Sequence, residues 1–220
     1  MGGIVFHDHT LSRSLMPLTA FRPVADLTVG VGSIAENWQQ SLEVEAVAYA
    51  TQPRLVPLFP SVETLQGDVW HILGGLLPTD ELVALVHGLP VGTCVCSNGR
   101  MLAAHLHSVN VTWEQIVHDQ TLKTYEVGEV HVIERPWHLF QYSAEAILFA
   151  ERHIRTLRRS MPLDSTVQVL GTHDIFLEEG ATVHFCSLNA TDGPIYIGRH
   201  AEVMEGAHIR GPFALGDFSK

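Results

Sequence analysis

Lysine is almost missing from this chain: Lys123 and Lys220 are the only two in 220 residues. Any site that must neutralise phosphate has little but arginine to work with. The formal net charge of −11 excludes a binder of nucleic acid or of an anionic membrane surface, both of which need a basic face. Cysteine is scarce too. Cys94, Cys96 and Cys186 form no even framework, which excludes a disulfide scaffold and fits a reduced, cytoplasmic protein. Cys94 and Cys96 share one strand face, but without a second cysteine pair to complete a zinc site they read as structural. No apolar run approaches the ~20 residues needed to span a bilayer, and nothing before Ile4 reads as a signal peptide. The stretch "FHDHTLSRSL" after the first apolar run holds no glycine, so no glycine-rich phosphate cradle is recognisable there.

What is present is a rhythm. Ile197, Val203, Ile209 and Leu215 fall six residues apart, and the phase extends back through Leu177 and Val183. A helix repeats every ~3.6 residues and a strand every 2. Six therefore fits a short strand followed by a corner, three times around a triangular prism, as in a hexapeptide parallel β-helix. Ala181, Ser187, Ala201, Ala207 and Ser219 supply small residues four places on, where corners are tight; Phe213 departs from this. "NATDGP" (189–194) interrupts the phase and reads as a turn or inserted loop.

Before that region, strands alternate with helices. "GIVF" and "DVWHIL" read as buried strands and "VEAVAYA" as an alternating one. Ile34 and Trp38 share a helical face, and Thr79 caps a helix carrying Asp80 and Glu81 in its first turn. "TCVCSNGRMLAAHLH" is a hairpin around Asn98-Gly99, and "EVHVIERPWHLF" reads as a further strand. A long helix covers 143–159, with Arg152, Arg155, Arg158 and Arg159 crowding its end. A helix dipole and a solvated face account for that crowding, with a phosphate site as the alternative. The fourteen histidines are scattered. Only His7/His9 and His105/His107 share a strand face, neither with a third ligand nearby, so they read as solvated or core residues. The pattern predicts an α/β domain over 1–163 followed by a partial left-handed parallel β-helix over 164–220.

An α/β domain joined by a long helix to hexapeptide coils resembles the GlmU-like enzymes, which unite a sugar-phosphate nucleotidyltransferase with an acyltransferase. "PLTAFRPVADL" (17–27) is similar to the segment after the signature loop of sugar nucleotidyltransferases, and "RPWHLF", "IFLEEGATV" and "LNATDGPIYIGRHAEVMEGAHIRGPFALG" are closer to one GlmU-like branch. The resemblance implies a reduced Rossmann-like domain in which a sugar-1-phosphate oxygen attacks the α-phosphate of a nucleoside triphosphate and releases pyrophosphate, with Mg²⁺ assisting. It places the catalytic candidates at Arg13 and Arg22 and the nucleotide contacts at Asp8, Gly74, Gly75 and Asp26. It also implies a homotrimer through the β-helix, and coils beyond residue 220 that carry acyl transfer.

On the residues alone, Arg13 and Arg22 either bind phosphate or pair with Asp8 or Asp26. Asp8 contacts a metal or ribose, or caps its loop. Trp137 reads as core packing, and His138 as a further site candidate. In this family a lysine is expected near Pro23 and an aspartate after "DVWHIL"; Val24 and Gly74-Gly75 stand there. Two rival readings follow: a catalytically degenerate nucleotide- or sugar-binding or trimer-organising module, and the substrate-recognition part of a hexapeptide acyltransferase.

Overall fold

The computed structural model describes residues 2–220, the side chain of Arg155 excepted, and the chain divides into two compact units. The first comprises the residues up to Thr28 and Ser33–Phe140; the second comprises Val29–Gly32 and Gln141–Lys220.

The first unit is built on β1 (Gly3–His7), an apolar run with every residue buried. A strand buried on both faces belongs in the middle of a parallel sheet. Here β1 lies between β2 (Val47–Ala50) and β3 (Val69–Leu73), parallel to both, with Val5 opposite Ala48 and Phe6 opposite Ile72. A short helix, α1 (Leu11–Ser14), follows β1, and α2 (Ile34–Ser41) precedes β2. Helix α2 opens with a capping box between Ser33 and Glu36. Its Trp38 is fully buried and donates its indole N–H to the Leu76 carbonyl at 2.8 Å. After β3, Thr79 caps α3 (Asp80–His87) by accepting the Leu82 N–H.

The hairpin of β4 (Thr93–Ser97) and β5 (Arg100–Leu106) turns at Asn98 and Gly99 with φ of 50° and 75°, the left-handed geometry that such tight turns demand. Helix α4 (Trp113–Val117) and strand β6 (Lys123–Glu126) complete the sheet, whose order is β2-β1-β3-β5-β4-β6. All three cysteines are free and buried.

The stretch 129–134, read from sequence as a strand, is an extended tie with a single bridge, Leu76 to Val132. Both edges of β3 are already taken by β1 and β5. The tie can meet only the chain beyond β3's end, where the Ile133 N–H donates to the Gly75 carbonyl at 2.7 Å. A further short helix, α5 (His138–Gln141), follows. Trp137, expected in the core, is 59% exposed, because it sits in the turn before α5 rather than on a core-facing element.

The second unit begins with α6 (Ser143–Leu157) and continues into eight short strands: β7 (Gln168–Gly171), β8 (Ile175–Leu177), β9 (Thr182–Val183), β10 (Ser187–Ala190), β11 (Ile195–Ile197), β12 (Glu202–Val203), β13 (His208–Arg210) and β14 (Phe213–Leu215). They form three parallel ladders, β7-β10-β13, β8-β11-β14 and β9-β12. The residues of the six-residue rhythm step through these ladders in turn. Ile197 lies on β11, Val203 on β12, Ile209 on β13 and Leu215 on β14, and all four belong to one apolar cluster with Leu177, Val183 and Leu188. Leu188 faces Ile209 across the ladder, so the phase slips by one at β10 and is restored after the bend at 191–193. Helix α6 packs Ala150 and Ile154 with Phe176 and Tyr196. It therefore belongs to the second unit, although the sequence reading places the domain boundary after it, at 163.

Candidate functional site

In an open α/β sheet, ligands gather outside the carboxyl ends of the strands, where successive connections diverge to opposite sides. The order β2-β1-β3 creates such a point at the end of β1. The chain leaves β1 there through His7, Asp8 and His9, and a cleft of about 500 Å³ opens beside them, lined also by Thr51 after β2 and by Asn110 to Glu114 around the start of α4.

Asp8 is the buried charge of this cleft, only 2% exposed. Its Oδ1 accepts the Val24 N–H at 2.8 Å, and its Oδ2 accepts the Thr51 hydroxyl. Burial pushes its carboxyl up to about 6, against the pull of those two hydrogen bonds. Gly74 makes room for it: a Cβ there would lie 3.1 Å from the His7 carbonyl oxygen and 3.5 Å from Asp8 Oδ1. A Cβ on Gly75 would fall 2.5 Å from the Ile133 carbonyl oxygen, so that glycine is needed by the tie to Ile133.

The floor and rim of the cleft are histidine and tryptophan. His7, at the end of β1, packs its ring 5.1 Å from that of Trp113, and its Nε2 lies 2.8 Å from His71 Nδ1. Burial, above all, drives the His7 imidazole down to about 3 and also lowers His71. Both rings are therefore neutral near pH 7. His9, with φ of 42°, turns outward to Glu114 at 3.0 Å. The Glu114 carboxyl is held below the usual range chiefly by its own backbone N–H, with help from His9.

Of the residues singled out from sequence, Asp8 lines the cleft; Arg13, Arg22, Asp26, Gly74 and Gly75 do not. Gly74 nonetheless touches Asp8 from behind. Arg13 is exposed on α1. Arg22 is half-exposed with its Nε 3.9 Å from Asp26 Oδ2, and Asp26 is raised by partial burial against the pull of Arg22. His138, on α5, has its Nδ1 3.3 Å from the Glu134 backbone nitrogen, outside the cleft lining. Arg158 is engaged with Glu178, and the Arg155 side chain lies outside the described residues. His105 stacks on Trp70 and His107 pairs with Asp68, as solvated or core histidines do.

Sequence reasoning missed Thr51, Trp113 and Glu114. One signal was available: Thr112 and Gln115 form a capping box, which marks a helix start at Trp113.

A resident Mg²⁺ does not fit these residues. The carboxylate expected after β3 is replaced by Gly74-Gly75, both oxygens of Asp8 already accept hydrogen bonds, and no cluster of three or more His, Cys, Asp or Glu suited to a metal exists among the described residues.

No curated protein matches the chain. A family model described as sugar nucleotidyl transferase matches residues 3–158, more than two thirds of the chain and the whole sheet that shapes the cleft. A buried acid lining a cleft at the diverging ends of the parallel strands β1 to β3 agrees with that match, and the chain belongs to the sugar nucleotidyl transferase family.

Proposed function

We propose that the cleft at the ends of β1 and β2 binds the nucleoside triphosphate and sugar phosphate of a GlmU-like sugar-1-phosphate nucleotidyltransferase. The observation that carries this is Asp8: a nearly buried carboxyl, raised to about 6, lining a cleft where the fold collects ligands. In the family reaction a sugar-1-phosphate oxygen forms a bond to the α-phosphorus, and the bond to the departing pyrophosphate breaks. Mg²⁺ would then come with the triphosphate rather than reside in the protein, since this ion keeps several waters and takes few carboxylates beside substrate phosphates.

A second reading, a degenerate binding module, is favoured by a specific feature. Among the described residues no lysine or arginine lines the cleft, so negative charge developing on phosphate would meet Asp8 and Glu114 instead. Loss of one preorganised electrostatic partner costs ~10²–10³ in rate. The chain is accordingly proposed to bind its substrates with little pyrophosphate release. Calorimetric titration with UTP and dTTP in the presence of Mg²⁺, followed by a pyrophosphate assay with hexose 1-phosphates, tests both parts. Turnover near ~10 s⁻¹, ordinary for enzymes, would reject the degenerate reading; absence of all binding would reject the site.

The three parallel ladders of the second unit support the proposal that they are coils of a left-handed hexapeptide β-helix of the acyltransferase type, with trimerisation through its faces. The alternative role of the first unit, substrate recognition for acyl transfer, rests on the same ladders. Light scattering tests the assembly: a trimer is expected, and a monomer at high micromolar concentration opposes it.

A further inference from the structure

The buried histidine pair beneath the cleft is not required by anything proposed above, and its hydrogen bonds determine its protons. His71 Nε2 lies 2.9 Å from the Ser108 carbonyl oxygen. A carbonyl only accepts, so His71 Nε2 carries a hydrogen. A neutral imidazole has one N–H, which leaves His71 Nδ1 as an acceptor for His7 Nε2, 2.8 Å away. His7 Nε2 is therefore the protonated nitrogen and His7 Nδ1 holds a lone pair. Among the described residues, no buried side-chain nitrogen or oxygen lacks a hydrogen-bond partner. The bond of His7 to His71 is made through Nε2, so Nδ1 is the ring nitrogen left with some exposure, and His7 lines the cleft. Its ring is held against Trp113 and is 2% exposed, so it has no freedom to turn.

We infer that His7 selects the ligand of the cleft, its Nδ1 accepting a hydrogen bond from an uncharged donor, either the imide N–H of a pyrimidine base or a sugar hydroxyl. The inference rests on the proposed reading that nucleotide and sugar phosphate enter this cleft. His71 is a positioning residue: by donating to Ser108 it fixes the orientation of the proton on His7. The chemistry around Nδ1 agrees. Among the described residues the lining offers carboxylate, hydroxyl, amide and imidazole groups and no lysine or arginine, which suits a polar, uncharged part of a ligand better than its phosphates. A site built to pair with a donor rejects analogues that lack it far more sharply than an apolar site rejects a change of size.

Long-range proton–nitrogen spectra of the ¹⁵N-histidine-labelled full chain, with resonances assigned, read this directly and need no variant. In the free protein His7 is expected to carry its hydrogen on Nε2 and none on Nδ1 at pH 7 to 8; a hydrogen on Nδ1 overturns the inference. Uridine 5′-monophosphate, its N3-methyl analogue and glucose 1-phosphate are then titrated separately, with backbone signals of Thr51 and Trp113 reporting entry into the cleft. A shift of His7 Nδ1 with the uridine nucleotide, with affinity at least about tenfold weaker for the N3-methyl analogue, identifies a base imide. A shift with glucose 1-phosphate alone identifies a sugar hydroxyl. Entry of the uridine nucleotide or glucose 1-phosphate into the cleft with His7 Nδ1 unmoved by both overturns the inference while leaving the proposed function intact. Failure of every probe to enter overturns both.

Discussion

Tyr196 donates its hydroxyl to Glu178 Oε1 at 3.0 Å, and Arg158, just beyond the end of α6, reaches the same oxygen at 2.6 Å. The Glu178 side chain is only 5% exposed, so its charge has exchanged water for these partners. The Tyr196 hydroxyl is pushed well above its ordinary value, first by burial and then by the Glu178 charge, and so remains a donor. Within the second unit this contact ties a residue following α6 to β11 and the chain after β8.

Changing Tyr196→Phe is expected to lower stability by about 1.5–3 kcal/mol, the range for a hydrogen bond to a charged group. Arg158→Ala is expected to cost less, since Arg158 is about one third exposed and solvent screens its charge. Urea unfolding of the two variants measures this. Equal stability of Tyr196→Phe and wild type would contradict it.

Two buried groups of the first unit, Asp8 and His7, act on stability in opposite directions as pH changes. Asp8 is raised to about 6, so the folded state holds its proton more tightly than the unfolded state. That contribution is complete below about 3.8 and is lost as pH rises through 6. His7 is lowered to about 3, so its contribution is complete above 6.5 and is lost as pH falls toward 3. The larger His7 displacement wins: wild-type stability is expected to fall as pH drops from 6.5 to 4. Asp8→Asn removes the opposing group. It should raise stability at pH 7, by at most about 3 kcal/mol from the size of the shift, and steepen the loss toward pH 4. Thermal melts across pH 4–8 decide; a flatter profile in Asp8→Asn would be the wrong sign.

Gly74 and Gly75 are expected to respond differently to alanine. At 75 the new Cβ would meet backbone at 2.5 Å, which cannot move aside cheaply, so Gly75→Ala should destabilise by at least the 1–3 kcal/mol typical of overpacking. At 74 the closest atom is at 3.1 Å. Gly74→Ala should cost less stability, yet disturb Asp8 and weaken ligand binding. Chemical denaturation with parallel calorimetry separates the two effects. The reverse order of stability loss would contradict this assignment.

Much of the fold was legible because its signals are local. An unbroken apolar run identifies β1, Thr79 marks α3, and the six-residue spacing of Ile197, Val203, Ile209 and Leu215 follows the ladders because each residue must face the same interior. The tie at 129–134 was misread because its alternation looks like a strand's, while the occupied edges of β3 are visible only in three dimensions. Of the residues lining the candidate cleft, Asp8 was singled out in the sequence and Thr51 and Trp113 were not, since they reach it from 43 and 105 positions further along the chain. Arg13 and Arg22 were placed at the site by the family resemblance, but local sequence does not say which way an exposed arginine faces.

Arg13→Ala and Arg22→Ala are expected to leave stability within about 0.5 kcal/mol, as surface changes do. If either arginine swings onto bound phosphate, binding of UTP should weaken by about 1.5–3 kcal/mol in that variant. Melting curves and titrations on the same samples check both statements; a large stability loss would make the arginines structural.

The most direct test of the central claim is calorimetric titration of UTP with Mg²⁺, and of glucose 1-phosphate, into the wild-type chain and into Thr51→Val. Thr51 donates to Asp8 and lines the cleft, so its replacement changes the site while leaving the sheet apolar and intact. The expected result is saturable binding to the wild type that is weakened about tenfold or more in Thr51→Val, on the scale of a hydrogen bond to a charged group. Binding of equal strength to both proteins, or no binding to either, would contradict the assignment of this cleft.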